Sequence, residues 1–557
     1  MSMRRFFVLP LLAMLGCGGG ERATLVEQGV DGAPQTRDTL VIAYQSDIGN
    51  LISVVSETAA DSDILTNLSY PLVDSAFDCS LQKLPGMATE WAWSDDGKVL
   101  SMTLRDDLTW EDGSKVTAED IAFTYDLVAD PSVASARVSY IERLVPEGRP
   151  KIVDPTHIEW HFTEAYDRDT QMAHTSALSL VPKHVLAAAD RATLRGHEMG
   201  KKPLSYGPWR LADWKPNSLI VLEPNPNFTG PASERPKLNR VIFRILPEYS
   251  TRLIELESGK VDMMQGITVS DADKLRETNP EIRLVRRGWR SNDYIAWNLQ
   301  NDIFKDVRVR RALAHAVDID GMIGKLLTSR TGEAYARRSI GTITPELCGV
   351  HNDDVKPYPY DPEKAKQLLA EAGWKDTNND GILDKDGKPF EFTLSTNTGN
   401  KRRADIQVLV QAQLERIGVK VHLEKQESNA FFENMRKKRF DAAVAGWSAG
   451  LFIDPTPLWH CDTDERKYEF NFVSYCNPEV DALMEQGLRT PDPAEAAPIW
   501  KDVQARIYED QPYLFLWWQD EIVGIHERFE NTKIDVLSAL NDLHEWEVPA
   551  DKVKYKR

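Results

Sequence analysis

Residues 88–128 read ATEWAWSDDGKVLSMTLRDDLTWEDGSKVTAEDIAFTYDLV, and this stretch decides how the chain is organised. Leu100, Met102 and Leu104 alternate with Ser101, Thr103 and Arg105, the period of a half-buried strand. Trp91 and Trp93 alternate in the same way before Asp95-Asp96-Gly97, and an Asp-Gly pair tolerates the positive φ of a tight hairpin turn. A second pair, Asp112-Gly113, punctuates the run after Trp110. Thr117 then caps a helix, because its hydroxyl can accept from an early backbone N–H. Glu119 and Asp120 place negative charge at the positive end of that helix. The stretch is a hairpin, a turn and a capped helix.

The order of these signals, DDGK, then LRDDL, then a tryptophan, DG and TAED, resembles the signature of family 5 of the bacterial extracellular solute-binding proteins. These are the peptide-, nickel- and oligosaccharide-capturing subunits of ABC importers. The resemblance implies an α/β, two-lobed periplasmic-binding-protein-like fold with a small extra α+β subdomain and two interlobe crossovers. It also implies a mechanism, in which two lobes close on a solute and a membrane permease recognises the closed form.

Composition agrees with that class. A chain of 557 residues exceeds one compact core. The 42% hydrophobic and 27% charged content is that of a globular body. A formal charge of −19 argues against nucleic acid or an anionic membrane surface as partner. Met1 to Gly16 has the layout of an export signal: Arg4 and Arg5, then the apolar run Phe6–Leu15. With Cys17 next, it resembles a lipobox, although Met14 stands where leucine is usual. Cys17 is therefore expected to carry lipid, tethering a periplasmic or cell-surface protein to a membrane through 17–38. That segment has no periodicity and is expected to be a flexible tether.

The domain reading follows the same resemblance. Lobe 1 takes 39–74, 203–294 and 516–557, the extra subdomain 75–202, and lobe 2 residues 295–515. The strand Thr39–Tyr44 opens lobe 1, and Phe529 to Val536 closes it. Tyr294–Asn298 (YIAWN) and Pro512–Trp518 (PYLFLWW) are the expected crossovers. Asp361-Pro362 starts one helix and Gly373 ends it; Ile406–Ile417 repeats the pattern with Gly418. Strands follow both. Helix then strand, several times over, argues an α/β lobe with a partly parallel sheet.

Phe440 to Trp459, FDAAVAGWSAGLFIDPTPLW, is the informative stretch for function. Ala442–Ala445 is a buried strand, and ligands of open α/β sheets sit beyond the carboxyl ends of strands. In the family, this segment lines the cleft: its tryptophan packs on the ligand and an aspartate holds a peptide's α-amino group. Gly446 and Trp447 match, but Gly450 stands where that aspartate usually is, and the first acid is Asp454. The ligand-binding set is expected to be Tyr44, Gln45, Asn50, Trp297, Asn397, Trp447, Ser448, Gly450 and Asp454. An oligopeptide is the first ligand expected. The missing acid makes an oligosaccharide or other uncharged solute the alternative.

Two smaller constellations complete the reading. Asp376, Asn378, Asp380 and Asp384, with Gly381, match the first part of an EF-type calcium loop. Position 12 of that loop is Gly387 where glutamate is needed, so a plain turn is the competing reading. No other cofactor is expected. With Cys17 lipidated, Cys79, Cys348, Cys461 and Cys476 allow three full pairings. A short disulfide loop in dipeptide-binding members of the family resembles the Cys461/Cys476 spacing. An enzyme, such as an exported hydrolase, is the rival class, and neither H-E-x-x-H nor a glycine-rich phosphate loop occurs. The expected partners are permease subunits and a small solute or peptide, with the chain itself a monomer.

Overall fold

The computed structural model describes residues 38–554 apart from 77–81, 136, 146–149, 348 and 462–469. The export signal, Cys17, nearly all of the tether, Cys79 and Cys348 lie outside the described residues. The hairpin expected at 88–104 is present. Ala88–Trp93 pairs antiparallel with Val99–Leu104, and Gly97 takes φ +69° in the turn between them. Leu100, Met102 and Leu104 point inward and are buried, while their neighbours are half-buried. His157–His161 and Lys151–Asp154 extend the pair into a four-stranded sheet. The helix Ala118–Ala129 begins with a reciprocal cap, the Thr117 hydroxyl accepting from Glu119 N and the Asp120 carboxylate from Thr117 N. Such a cap contributes about 1 kcal/mol. Asp120 also accepts from Lys183 N, so the segment Val181-Pro182-Lys183-His184 docks on the helix start. This subdomain has its own core around Trp110, Trp160 and Ile121, which also takes in Ile52, Val54 and Tyr70 from the chain before it.

The two lobes share one sheet. Its strands run in the order Lys420–Gln426, Glu391–Asn397, Ala442–Ser448, Ile282–Trp297, Tyr513–His526, Met263–Met264, Thr39–Tyr44, Arg240–Ile245, Leu219–Pro224 and Trp209–Lys215. Ile282–Trp297 and Tyr513–His526 pair with each other along nearly their whole length, so the two crossovers are one antiparallel ribbon. The ribbon's register shifts between Arg287 and Ser291, where the extra residues bend it. The crossover thus begins well before Tyr294, and the expected boundary at 294/295 falls inside a single strand. On the first-lobe side, Ile282–Arg287 pairs with Glu521–His526; on the second-lobe side, Ser291–Trp297 is flanked by Ala442–Ser448.

Smaller departures have local causes. The helix Ala59–Leu68 starts at a capping box formed by Thr58 and Asp61, and Val73–Ser75 beyond it is a short strand. Phe529, Ile534 and Val536 are buried against the first lobe as an irregular segment, without a strand. No helix among the described residues is long and apolar enough to cross a membrane.

Candidate functional site

Ala442–Ala445 are fully buried, and the strand they begin carries the chain to Trp447 at the lip of the second lobe. Trp447 N donates to the Asn292 side chain on the neighbouring crossover. Its ring stacks on Phe472 at 5.3 Å and on Tyr294 at 6.2 Å, with Phe470 edge-on at 5.6 Å. Tyr294 stacks in turn on Tyr513 of the other crossover, 4.0 Å away and nearly parallel. Trp447 is therefore held by aromatic faces on one side and lines a cavity of about 470 Å³ on the other. That volume lies in the range of small-molecule sites.

Three parts of the fold wall the cavity. Ser56, Glu57 and Ser62 come from the first lobe, Arg137, Tyr140 and His174 from the extra subdomain. The second lobe gives Thr342–Thr344, Leu347, Arg436, Phe470 and much of Trp447–Leu458. Arg290, at the register shift, ties the cleft loop to the C-terminal segment: its Nε donates to Ala449 O and its Nη1 to Val536 O and Leu537 O. Burial, with the like charge of Arg287 beside it, lowers Arg290 to about 10.

The cavity's electrostatics centre on Asp454. Arg143 Nη2 donates to its Oδ2 at 2.7 Å, and Thr456 donates to Oδ1 from both its backbone N–H and its hydroxyl. Burial opposes ionisation most strongly, but the Arg143 charge, His174 and the hydrogen bonds from Thr456 and Arg143 together outweigh it and hold the Asp454 carboxyl below its ordinary range. His174 lies between them, Nδ1 3.4 Å from Arg143 and Nε2 3.7 Å from Asp454. Its ring stacks on Tyr140 and meets Phe452 edge-on. Burial pushes His174 down to about 4, against the pull of Asp454, so it is neutral at pH 7. Thr170 donates to Ile453 O, Asp167 N to Leu488 O, and Arg489 pairs with Glu164 at 2.9 Å. Extra subdomain and second lobe meet along this seam.

The expected site residues divide. Trp447, Ser448, Gly450 and Asp454 line the cavity together. Trp297 does not: it is fully buried behind the sheet, stacked on Phe304 at 4.9 Å with Phe392 edge-on, and so belongs to the core. Tyr44, Gln45, Asn50 and Asn397 are not in the cavity wall. The Tyr44 hydroxyl donates to Asp63, and Asn50 bonds Arg195 O and Ile52 N. Asn397 accepts from Arg403, and Gln45 reaches across to the Gly399 turn. A side chain at Gly450 would place its Cβ 2.7 Å from the Phe452 ring, so a residue with a side chain needs that ring to move. Asp376, Asp380 and Asp384 are not gathered as a metal-ligand group. Asp376 accepts from Gly381 N and Asp384 from Thr377, as carboxylates of a turn do. Cys461 and Cys476 are joined as a disulfide.

Arg137, Tyr140, Arg143 and His174 carry no local signal that marks them as cleft residues, since Asp454 is 311 positions from Arg143. The hydrolase pattern G-x-S-x-G, expected to be absent, is matched in its letters by Gly446-Trp447-Ser448-Ala449-Gly450. That pattern needs a strand-to-helix elbow. Here the chain leaves Ser448 as an irregular loop as far as Thr456, and both nitrogens of His174 face Arg143 and Asp454.

The comparisons with known proteins agree with this geometry. Residues 84–469 match the model described as bacterial extracellular solute-binding proteins, family 5 Middle. The oligopeptide-binding protein AppA of Bacillus subtilis is 32% identical over 547 residues, covering 97% of each chain. The structure of AppA from Bacillus subtilis in complex with a nonapeptide superposes with a TM-score of 0.83 at 30% identity, covering 93% of this chain and 100% of that one. That of NikZ from Campylobacter jejuni in complex with Ni(L-His) gives 0.80 at 25% identity, covering 92% and 100%.

Proposed function

The chain belongs to family 5 of the bacterial extracellular solute-binding proteins, and from that premise we propose that it captures an oligopeptide between its lobes and delivers it to an ABC permease. The observation that carries the reading is the 470 Å³ cavity walled by both lobes and the extra subdomain, with Trp447 on its face. Two crossover strands whose pairing shifts register between Arg287 and Ser291 and again between Asp293 and Tyr294 give the lobes a shared hinge in this reading. Capture by closure needs no covalent chemistry. The relative that binds a nonapeptide supports a peptide over a sugar.

The protein is held at a membrane, in this reading, by lipid on Cys17, and the Arg-led apolar run before that residue supports it. A thermal-shift panel of synthetic peptides and oligosaccharides tests the ligand class. Peptides should raise the melting temperature and sugars should not; the reverse pattern would replace the oligopeptide by a sugar. Labelling with a palmitate analogue tests the anchor, which fails if Cys17→Ser labels like the wild type.

A further inference from the structure

One arginine of the crossover ribbon bonds to both lobes. Where the pairing shifts between Arg287 and Ser291, residues 288–290 stand opposite Asp520 alone, and Arg290 is the last residue of this bulge. Its backbone O accepts from Ala449 N at 2.8 Å and its Nε donates to Ala449 O at 2.9 Å, while Ser291 beside it pairs with Ser448. Arg290 is thus fastened to the cleft loop, whose Ser448, Ala449 and Gly450 line the cavity. Its Nη1 turns the other way, donating to Val536 O at 2.9 Å and to Leu537 O at 2.7 Å.

Those two carbonyls belong to the first lobe. Ile534, Ala539, Leu540 and Leu543 on either side of them lie in its core. Asp535 shapes the turn that presents them: its Oδ1 accepts from Leu537 N and Ser538 N, and its Oδ2 from Asn541 Nδ2. Arg287 bonds the same segment, its Nε donating to Asp535 O at 2.7 Å, but its carboxylate partner Glu521 is on the first-lobe side of the ribbon. Arg287 is tied within one lobe, Arg290 between two.

When the lobes rotate apart about the bulge, the cleft loop carries Arg290 with it and the Nη1 bonds part. We infer that Arg290 is a positioning residue for capture, a strut that bonds Val536 and Leu537 only in the closed form and so holds the cleft loop over a bound solute. This rests on capture by lobe closure, proposed above. Arginine suits the position because its rigid fork carries donors that point in different directions, which the single ammonium of lysine does not. Its acceptors here are carbonyls, so each bond is charge-assisted. In the open form water takes the place of the lost acceptors, which keeps the gain on closing modest and the capture reversible.

The probes are those synthetic peptides of three to nine residues, and those oligosaccharides, that raise the wild-type melting temperature. Calorimetry with each is set beside urea unfolding of the chain without a probe. Arg290→Met should weaken binding about tenfold, with the urea midpoint little changed, and Arg290→Lys should recover little of the loss. Asp535→Ala, which loosens the turn without touching the cleft loop, should weaken binding severalfold. Because both act through the same bonds, the double variant should bind within about twofold of Arg290→Met alone. Arg287→Gln should lower the urea midpoint and leave affinity within about twofold. Wild-type affinity in Arg290→Met or in Arg290→Lys overturns the inference. So does wild-type affinity in Asp535→Ala, or additive losses in the double variant, since Arg290 would then only brace the cleft loop within the second lobe. Should Arg290→Met fail to fold, Asp535→Ala alone decides. If sugars bind and peptides do not, the oligopeptide reading fails while the same comparison with the sugars still decides on Arg290. If neither binds the wild type, capture by closure has failed, and this inference with it.

Discussion

Arg143→Ala isolates the contact between extra subdomain and second lobe. The Asp454 side chain is 3% exposed and that of Arg143 is 14% exposed, so the pair is desolvated on one side only. Without Arg143, Asp454 keeps the Thr456 donors but loses its counter-charge, because His174 is neutral above pH 6. Removing one partner of a buried ion pair costs about 3–5 kcal/mol. The partial exposure of Arg143 lets water reach the carboxylate, so we take the lower end, about 3 kcal/mol. If the seam parts when the lobes open, the open form meets that carboxylate with water and bears little of the cost. The penalty then falls on the closed form, and the dissociation constant should rise about a hundredfold.

Calorimetry with a peptide that binds the wild type measures this, beside urea unfolding of the ligand-free chain. Arg143→Leu combined with Asp454→Asn should recover much of the loss, since an apolar replacement removes the stranded charge. Unchanged affinity in a well-folded Arg143→Ala would refute the reasoning. So would a large loss of ligand-free stability at unchanged affinity, which would make the seam a rigid joint.

Trp447→Ala removes the aromatic face of the cavity and should weaken binding by about 2 kcal/mol or more, read by calorimetry, with the strand behind it intact. His174 is depressed from 6.5 to about 4, so its contribution is fully present above pH 6.5 and is lost as pH falls toward 4. That amounts to about 3 kcal/mol at most, and urea titrations from pH 7 to 4.5 should show a shallower decline for His174→Gln than for wild type. Cys461→Ser with Cys476→Ser opens a loop of separation 15 and should cost about 3 kcal/mol of unfolding stability, measured by denaturant titration without reductant.

Much of the fold was legible because its signals are local. Leu100, Met102 and Leu104 alternate, Asp96-Gly97 turns and Thr117 caps, and each needs only near neighbours to act. The crossovers were harder to bound. The apolar stretches Tyr294–Asn298 and Pro512–Trp518 mark only where each strand is buried, and the arginine-rich start of the first, residues 282–290, does not read as a strand pattern at all. Trp297 fails for the same reason. A buried strand presents large aromatics to both layers, and only the partner on each face, here Phe304 and Phe392, tells core from cleft.

The cleft's charge pattern lies beyond local reading altogether. Asp454 looks in sequence like an acid offered to a ligand, two positions before a short helix. In space it belongs to Arg143, and the ligand meets a neutral pair. Arg137 looks like one more surface arginine in a polar loop, yet it lines the cavity and donates to Ser56 O and Ser56 Oγ. A residue's type states what it can carry; what stands opposite decides whether that charge is still available. In this chain, the opposing groups come from an extra subdomain far away in sequence. The selectivity of the cleft is therefore set where lobe and subdomain meet, and substitutions along that seam should change which peptides bind more than whether the chain folds.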